Sequence, residues 1–279
     1  MQGRKEHNPL VSIIMGIYNC ADTLEEAIDS IMAQTYSNWQ LIMCDDGSTD
    51  HSFTIAREYQ KKYQEKIIVI QNERNQGLNY TLNRCLEYAT GEYVARMDGD
   101  DISLPTRIET EVEFLNSHPD YSIVSSSMVL FDESGNWGIE EKIEIPQIKD
   151  FVFHPPFHCH APCMIRREAY IKVGGYTVDK RLLRYEDCNL WYKLYSAGYR
   201  GYNIQEPLYK MRDDRNAYQR RTPSSRLRAV YVQYSGFKMI GMSLKYYPYL
   251  AIELVKSIAL IVMPEKLYMF LHRKRQKMI

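Results

Sequence analysis

The chain predicts an α/β domain with a mostly parallel central sheet flanked by helices, followed by a helical C-terminal extension. Three observations carry this. Short apolar runs alternate with segments of helical periodicity from Leu10 to Ser125, the pattern of βαβ units. Right-handed crossovers between such units put every strand-to-helix loop at one edge of the sheet. Acids gather in those loops, at Asp45-Asp46 and at Arg96-Met97-Asp98-Gly99-Asp100-Asp101. That carboxyl edge is where open α/β sheets bind ligands.

The elements follow in order. Leu10–Met15 is a strand, closed by a turn at Tyr18-Asn19. Ala21–Ala33 is a helix, because Leu24, Ala27, Ile28 and Ile31 share one face, with Asp22 as N-cap and Glu25 completing a capping box. Trp39–Cys44 is the second strand, and Asp50 caps a helix reaching about Gln64. Ile67–Ile70 is a strand, Leu78–Ala89 a helix stopped by Gly91, and Tyr93–Met97 the fourth strand. Pro105 opens a helix through Ile108, Val112 and Leu115, and Tyr121–Ser125 is a further strand. Val129–Ile145 predicts a hairpin around Glu133-Ser134-Gly135-Asn136, Gly174-Gly175-Tyr176 a turn, and Leu190–Tyr195 a helix. Past residue 225, Leu227, Val230, Tyr234, Phe237, Gly241 and Leu244 recur at three-and-four spacing, an amphipathic stripe.

Composition narrows the function. The 279 residues carry 35 Lys+Arg against 35 Asp+Glu, which argues against a general nucleic-acid binder. The six cysteines are scattered in mostly apolar contexts, as suits buried thiols in a reducing cytoplasm, and Met1–Pro9 lacks the apolar core of a signal peptide. No glycine-rich phosphate loop follows the first strand, where the residues are Gly16-Ile17-Tyr18-Asn19. A nucleotide needs another grip, and a metal bridging a diphosphate is one. Like charges crowded at residues 98–101 are costly unless something positive sits among them, and a hard divalent cation with oxygen ligands answers that. A solvated acidic turn is the alternative. Asp45-Asp46 exceeds what a cap needs, and a carboxylate there can accept from a base or a ribose hydroxyl.

Val11-Ser12-Ile13-Ile14-Met15, Tyr18-Asn19, Gln34-Thr35-Tyr36, Asp45 to Asp50, Gly91-Glu92-Tyr93 and Arg96 to Asp101 resemble family 2 glycosyltransferases. His160-Ala161-Pro162, Gly174-Gly175-Tyr176 and Glu186-Asp187-Cys188-Asn189-Leu190-Trp191 continue the match, which spans about Pro9 to Arg221 in order. The resemblance implies a GT-A fold, a Rossmann-like sheet binding a nucleoside diphosphate sugar, by default UDP. It implies that Asp46 accepts from the base with Tyr18 beside the ring, and that Asp98 faces the ribose and metal-bound water. It implies that Asp100 coordinates Mg²⁺ or Mn²⁺, that His160 lines the diphosphate pocket or touches its metal, and that Asp187 is the general base of an inverting transfer. Glu186 is a candidate for orienting the acceptor. Gly99, often Ala in such proteins, is expected to leave room for the sugar phosphate. The domain would span residues 9–221, with a nucleotide-binding half to about residue 128 and an acceptor half from 129. The implied acceptor is a glycan or lipid-linked oligosaccharide.

Other readings stay open. Asp187 also suits an N-cap. His154, His158, Cys159, His160 and Cys163 are zinc-ligand types, but their spacing matches no standard finger. Arg212, Arg215, Arg220 and Arg221 are either a solvated loop or a lid giving forked phosphate contacts, with Arg215 the cofactor-binding candidate. After residue 225, ten bases face two acids, and the chain runs to His272-Arg273-Lys274-Arg275-Gln276-Lys277. That suits peripheral contact with the inner face of an anionic cell membrane, with packing on the domain or a homodimer as the rivals. A sugar-phosphate nucleotidyltransferase and a non-catalytic, membrane-recruited binding protein are the competing functions.

Overall fold

The computed structural model describes residues 7–153, 157–213, 222–264, 266–268 and 270–271. The anticipated strands are β1 (Val11–Ile17), β2 (Trp39–Asp45), β3 (Ile67–Gln71) and β4 (Tyr93–Asp98), joined by α1 (Ala21–Met32), α2 (Ser52–Lys62) and α3 (Leu78–Tyr88). They pair in parallel in the order β3-β2-β1-β4. Both faces are buried, so β1, β2 and β4 read as continuous apolar runs rather than alternating ones. Val11, Ile13 and Met15 face α1 and α2, while Ile14, Ile42 and Val94 face Leu82 and Cys85 of α3.

The chain continues through β5 (Ile102–Ser103), α4 (Arg107–Ser117), β6 (Ile123–Asp132), β7 (Gly135–Glu140), β8 (Met164–Arg166), α5 (Arg167–Val173), α6 (Glu186–Ser196) and β9 (Gly201–Arg212). Among the described residues these complete a nine-stranded sheet, in which β8 runs antiparallel between β4 and β6 and β9 runs parallel to β6. The hairpin forms as anticipated, β6 pairing with β7 across the turn at Glu133-Ser134. Its first strand and the run near Ser125 are one continuous element.

Four sequence expectations are corrected. The N-cap of α1 is Cys20 rather than Asp22, and the cap comes from another loop: Ala21 N donates to Asp50 Oδ2 at 3.0 Å. Asp50 also accepts from Ser52 N at 2.9 Å, so one carboxylate serves the starts of two helices. Pro105 lies in the turn before α4, where its carbonyl accepts from Thr35 N at 2.9 Å. Strand β9 was missed because Asn203, Gln205, Glu206 and Pro207 break its apolar pattern; register shifts opposite Ser126–Met128 accommodate the proline. The fourth correction concerns α7 (Pro223–Met239), which buries Val232, Gly236 and Phe237 but leaves Leu227 and Tyr234 exposed. A Cβ on Gly236 would meet the Tyr192 ring at 2.2 Å, so α7 rides directly on α6. It also packs against α8 (Tyr249–Val262), and burial on two sides erases a single apolar stripe.

Beneath the acidic edge lies a buried ion pair, Arg107 Nε to Glu111 Oε1 at 3.2 Å. Arg107 also donates to the Arg96 carbonyl at 2.8 Å and stacks on Tyr209, tying α4 to β4 and β9. Burial pushes the Glu111 carboxyl up to about 7, although Arg107 pulls it back. A folded pKa above the unfolded one contributes stability that is full below the ordinary carboxylate range and lost as pH rises through about 7. Wild-type melting temperature is therefore expected to fall from about pH 5 to about pH 8, and Glu111→Gln, which keeps an acceptor for Arg107, to flatten that slope. Thermal melts showing the same slope in both proteins would contradict this account of the pair.

Candidate active site

The strand register assembles the site. Gly16 at the end of β1 lies level with Asp98 of β4, and Ile17 lies level with Asp45 of β2. Asn19 then takes a left-handed backbone, φ 48°, held by Thr49 N donating to its Oδ1 at 2.9 Å and by its own N–H donating to Ser48 Oγ at 3.0 Å. Asn tolerates that conformation. The turn leaves Tyr18 48% exposed at the sheet edge.

The acids after β2 divide their work. Asp45 is fully buried and accepts from Ser48 N and Gln71 Nε2, each at 3.1 Å, so it shapes the turn. Asp46 accepts from Asn72 Nδ2 at 2.7 Å and from Gln76 N and Gly77 N at 2.8 Å. It thereby holds the loop that opens α3, whose own N-cap, Gly77, has no side chain to offer. A carboxylate has about four lone-pair sites, so Asp46 keeps capacity for a ligand.

Each acid of the 98–101 turn has a different neighbour. Arg96 Nη2 pairs with Asp98 Oδ1 at 2.5 Å. Arg96 is buried in β4, a charge inside an apolar run that signals a partner. Asp100 lies close enough to Cys20 to add to the burial that pushes that thiol up to about 11. Asp101 is buried and structural: it accepts from Arg212 N at 2.8 Å, while Arg212 Nε donates to the Asp100 carbonyl at 3.0 Å. Arg212 also pairs with Glu26 at 2.9 Å and stacks on Phe131, so this member of the basic run clamps the acidic turn. Gly99 corrects the sequence reading. A Cβ there would point at Cys20 Sγ, 2.9 Å away, and at Ile17 and Leu24, so its small size serves packing against α1. Gln34 is likewise structural, donating to Leu104 O at 2.9 Å and accepting from Ile108 N at 3.1 Å.

His160 Nε2 meets Tyr176 OH at 2.8 Å. Burial, with Arg96 adding to it, keeps this imidazole neutral, its pKa well below the usual value. The Gly174-Gly175-Tyr176 turn that supplies the partner takes left-handed backbone at both glycines and is pinned to α3 by two 2.8 Å hydrogen bonds between Asn83 and Tyr176. The rest of the His/Cys cluster is packing. His158 uses one nitrogen on Asn203 at 2.7 Å and the other on Tyr195 at 3.1 Å, and burial pushes Cys159 and Cys163 up to about 12. His154 lies outside the described residues.

Helix α6 begins four residues earlier than anticipated, which puts Glu186 and Asp187 in its first turn. The N-cap is Tyr185, so the N-cap reading of Asp187 is set aside; its Oδ1 accepts from Cys188 N at 2.7 Å. Burial raises the Asp187 pKa, with Arg96 opposing. Burial and the adjacent Asp187 raise that of Glu186, whose Oε2 has no hydrogen-bond partner among the described residues.

A cleft of about 420 Å³ is lined by Tyr18, Asp46 and Glu186, while Asp98, Asp100, His160 and Asp187 are not among its lining residues. Its remaining rim holds residues the sequence reading missed. Arg184, beside Glu186, stands in left-handed backbone at φ 74°, a strain that nothing in its residue type announces. Thr222, Ser225 and Arg228 bring the start of α7 into the cleft wall. Arg184 and Arg228 are cations that the structure does place at the cleft; Arg215, Arg220 and Arg221 lie outside the described residues.

The residues present fit a divalent ion only in part by themselves. Among the described residues no three of His, Cys, Asp and Glu gather closely enough to hold one. Asp98 and Asp100 offer hard oxygen donors, a guanidinium already stands against Asp98, and burial, with the Asp98 and Asp100 charges adding to it, raises the Asp101 carboxyl. Such a set suits an ion whose remaining ligands come from a substrate diphosphate.

A model of the family described as Glycosyl transferase family 2 matches residues 12–174. The chain is 42% identical over 267 residues to a relative named as a glycosyltransferase, EpsE of Bacillus subtilis (strain 168), covering 96% of this chain and 94% of that one. It is 29% identical over 220 residues, 72% of this chain and 77% of the other, to the Escherichia coli UDP-Glc:alpha-D-GlcNAc-diphosphoundecaprenol beta-1,3-glucosyltransferase WfaP. In fold it is similar to S. aureus TarS residues 1–349 in complex with UDP, with TM-score 0.63, 18% identity and coverage of 82% and 69%. It is also similar to the mannosyltransferase PcManGT of Pyrobaculum calidifontis in complex with GDP-Man and Mn²⁺, with TM-score 0.61, 20% identity and coverage of 96% and 80%. The fold is GT-A.

The Gly99 contact generates a prediction. Gly99→Ala is expected to cost about 1–3 kcal/mol by overpacking against Cys20, and Cys20→Ala in the same protein to restore most of it. Denaturant unfolding of the two single variants and the double variant measures the coupling; strictly additive losses would show that the two residues do not meet.

Proposed function

This chain is a member of glycosyl transferase family 2, and from that premise we propose a metal-dependent, inverting enzyme that moves sugar from a UDP-sugar to a hydroxyl of a lipid-linked glycan in surface polysaccharide synthesis. Membership stands against the nucleotidyltransferase and the non-catalytic scaffold. The observation that supports the finer reading is the cleft lined by Tyr18, Asp46 and Glu186, together with the strand register that sets Asp98 level with Gly16 of its lining.

In this reading Tyr18 and Asp46 take the base, and Arg184 and Arg228 face the diphosphate. Asp98, Asp100 and His160 would hold the Mn²⁺ or Mg²⁺, which supplies Lewis-acid stabilisation of the departing diphosphate. Arg96 orients Asp98 and lends its charge to the floor of the site. Asp187 takes the acceptor proton as the new bond forms on the face opposite the leaving group, so one displacement inverts the anomeric carbon. Glu186, with an unoccupied buried oxygen, orients the acceptor hydroxyl. The lipid-linked acceptor follows the chemistry for which WfaP is named, and the UDP donor that of WfaP and of the TarS complex. Residues 9–128 form the donor half and 129–221 the acceptor half, and the enzyme works at the inner face of the cell membrane.

Asp187→Asn is expected to leave donor affinity within about twofold while lowering transfer roughly 10²–10⁴-fold. Because burial raises its pKa, wild-type turnover should decline on acidification at a higher pH than an ordinary carboxylate gives. Transfer rates across pH with a synthetic lipid-linked acceptor measure both, and retained turnover in Asp187→Asn would reassign the base. UDP release from UDP-sugars should require Mn²⁺ or Mg²⁺. Asp100→Ala should remove the metal-dependent part of UDP affinity in calorimetry; unchanged affinity would contradict the metal site.

A further inference from the structure

Helix α8 buries only Ser257 among its side chains, with Ser257 Oγ donating to the Arg226 carbonyl of α7 at 2.9 Å. The opposite face carries Ala251, Ile252, Val255, Ile258, Ala259 and Val262, all exposed and all apolar, at the spacing of one continuous helical stripe. Val255 is 66% and Val262 75% exposed. Leu267, Phe270 and Leu271 extend the exposed apolar surface, and Leu244 is 80% exposed before it. Few soluble surfaces leave such a run open to water without a use.

The charges nearby favour one occupant. Lys245, Lys256 and Lys266 are exposed around the stripe, and in sequence it leads to His272-Arg273-Lys274-Arg275-Gln276-Lys277. From residue 226 onward the only acids are Glu253 and Glu265. Apolar residues flanked by bases complement an anionic lipid surface, whose acyl boundary takes the stripe while its headgroups meet the lysines. A self-association face would gain nothing from the like charge that a second copy brings to the same place. No described helix is long and apolar enough to cross a membrane, so the contact is one of lying in the interface.

We propose that the apolar face of α8 docks this enzyme onto an anionic bilayer. The proposal deepens, and rests on, the reading that the acceptor is lipid-linked. Helix α7, against which α8 packs, also lines the cleft with Thr222, Ser225 and Arg228, so docking brings the cleft wall toward the plane of the lipid headgroups.

The test is vesicle co-sedimentation of the full chain without nucleotide or acceptor, on phosphatidylcholine vesicles with and without about 25% phosphatidylglycerol. The wild type should sediment with the anionic vesicles and be partly released by salt, and Val255→Glu/Ile258→Glu should lower partitioning at least about tenfold with an unchanged melting temperature. Equal sedimentation of the variant, or no sedimentation of the wild type, overturns the proposal. So does light scattering that finds a wild-type dimer and a variant monomer with equal vesicle binding, which would make the stripe an interface between copies. Vesicle docking by an enzyme that transfers only to soluble acceptors would overturn the lipid-linked reading and leave the docking face standing.

Discussion

Like charges crowded into one turn are costly unless answered, and that constraint organises the acidic edge around Asp98 and Asp101. Asp98 is answered by Arg96 from within β4, and Asp101 by the Arg212 backbone from β9. Arg107, locked to Glu111, holds the carbonyl of Arg96 from below. The cations and donors come from three elements, of which β9 lies more than a hundred residues away in sequence. The turn is therefore held in place by the protein's own side chains and backbone.

The same economy governs the loop after β2. Asp46 and Asp50 each terminate a helix that lacks a side-chain cap of its own, α3 and α1 respectively. The starts of both helices are thus set by carboxylates of one loop. Affinity and fold cannot be separated cleanly at Asp46, because removing it frees the loop holding Asn75 and Gly77 as well as a wall of the cleft.

The parallel half of the sheet was legible because burial on both faces leaves unbroken apolar runs, and the acids at its edge were legible because their loops follow those runs. Strand β9 was hidden by Asn203 and Pro207, whose roles are a buried hydrogen-bond hub for His158 and a register shift. Arg184 was hidden for a different reason: a left-handed backbone at a non-glycine residue leaves no trace in composition. The Gly99 reading went astray because sequence tells that a residue must be small but not which neighbour requires it. The α7 stripe misled because spacing alone cannot distinguish a helix packed on one side from a helix packed on two.

Helix α7 belongs to two neighbourhoods, touching the cleft at its start and α8 along its length. Grafting the specificity of one such enzyme onto another by exchanging only the strands and loops before residue 222 would leave a foreign rim on the pocket. Chimaeras should carry this helix along with the residues that line the rest of the cleft.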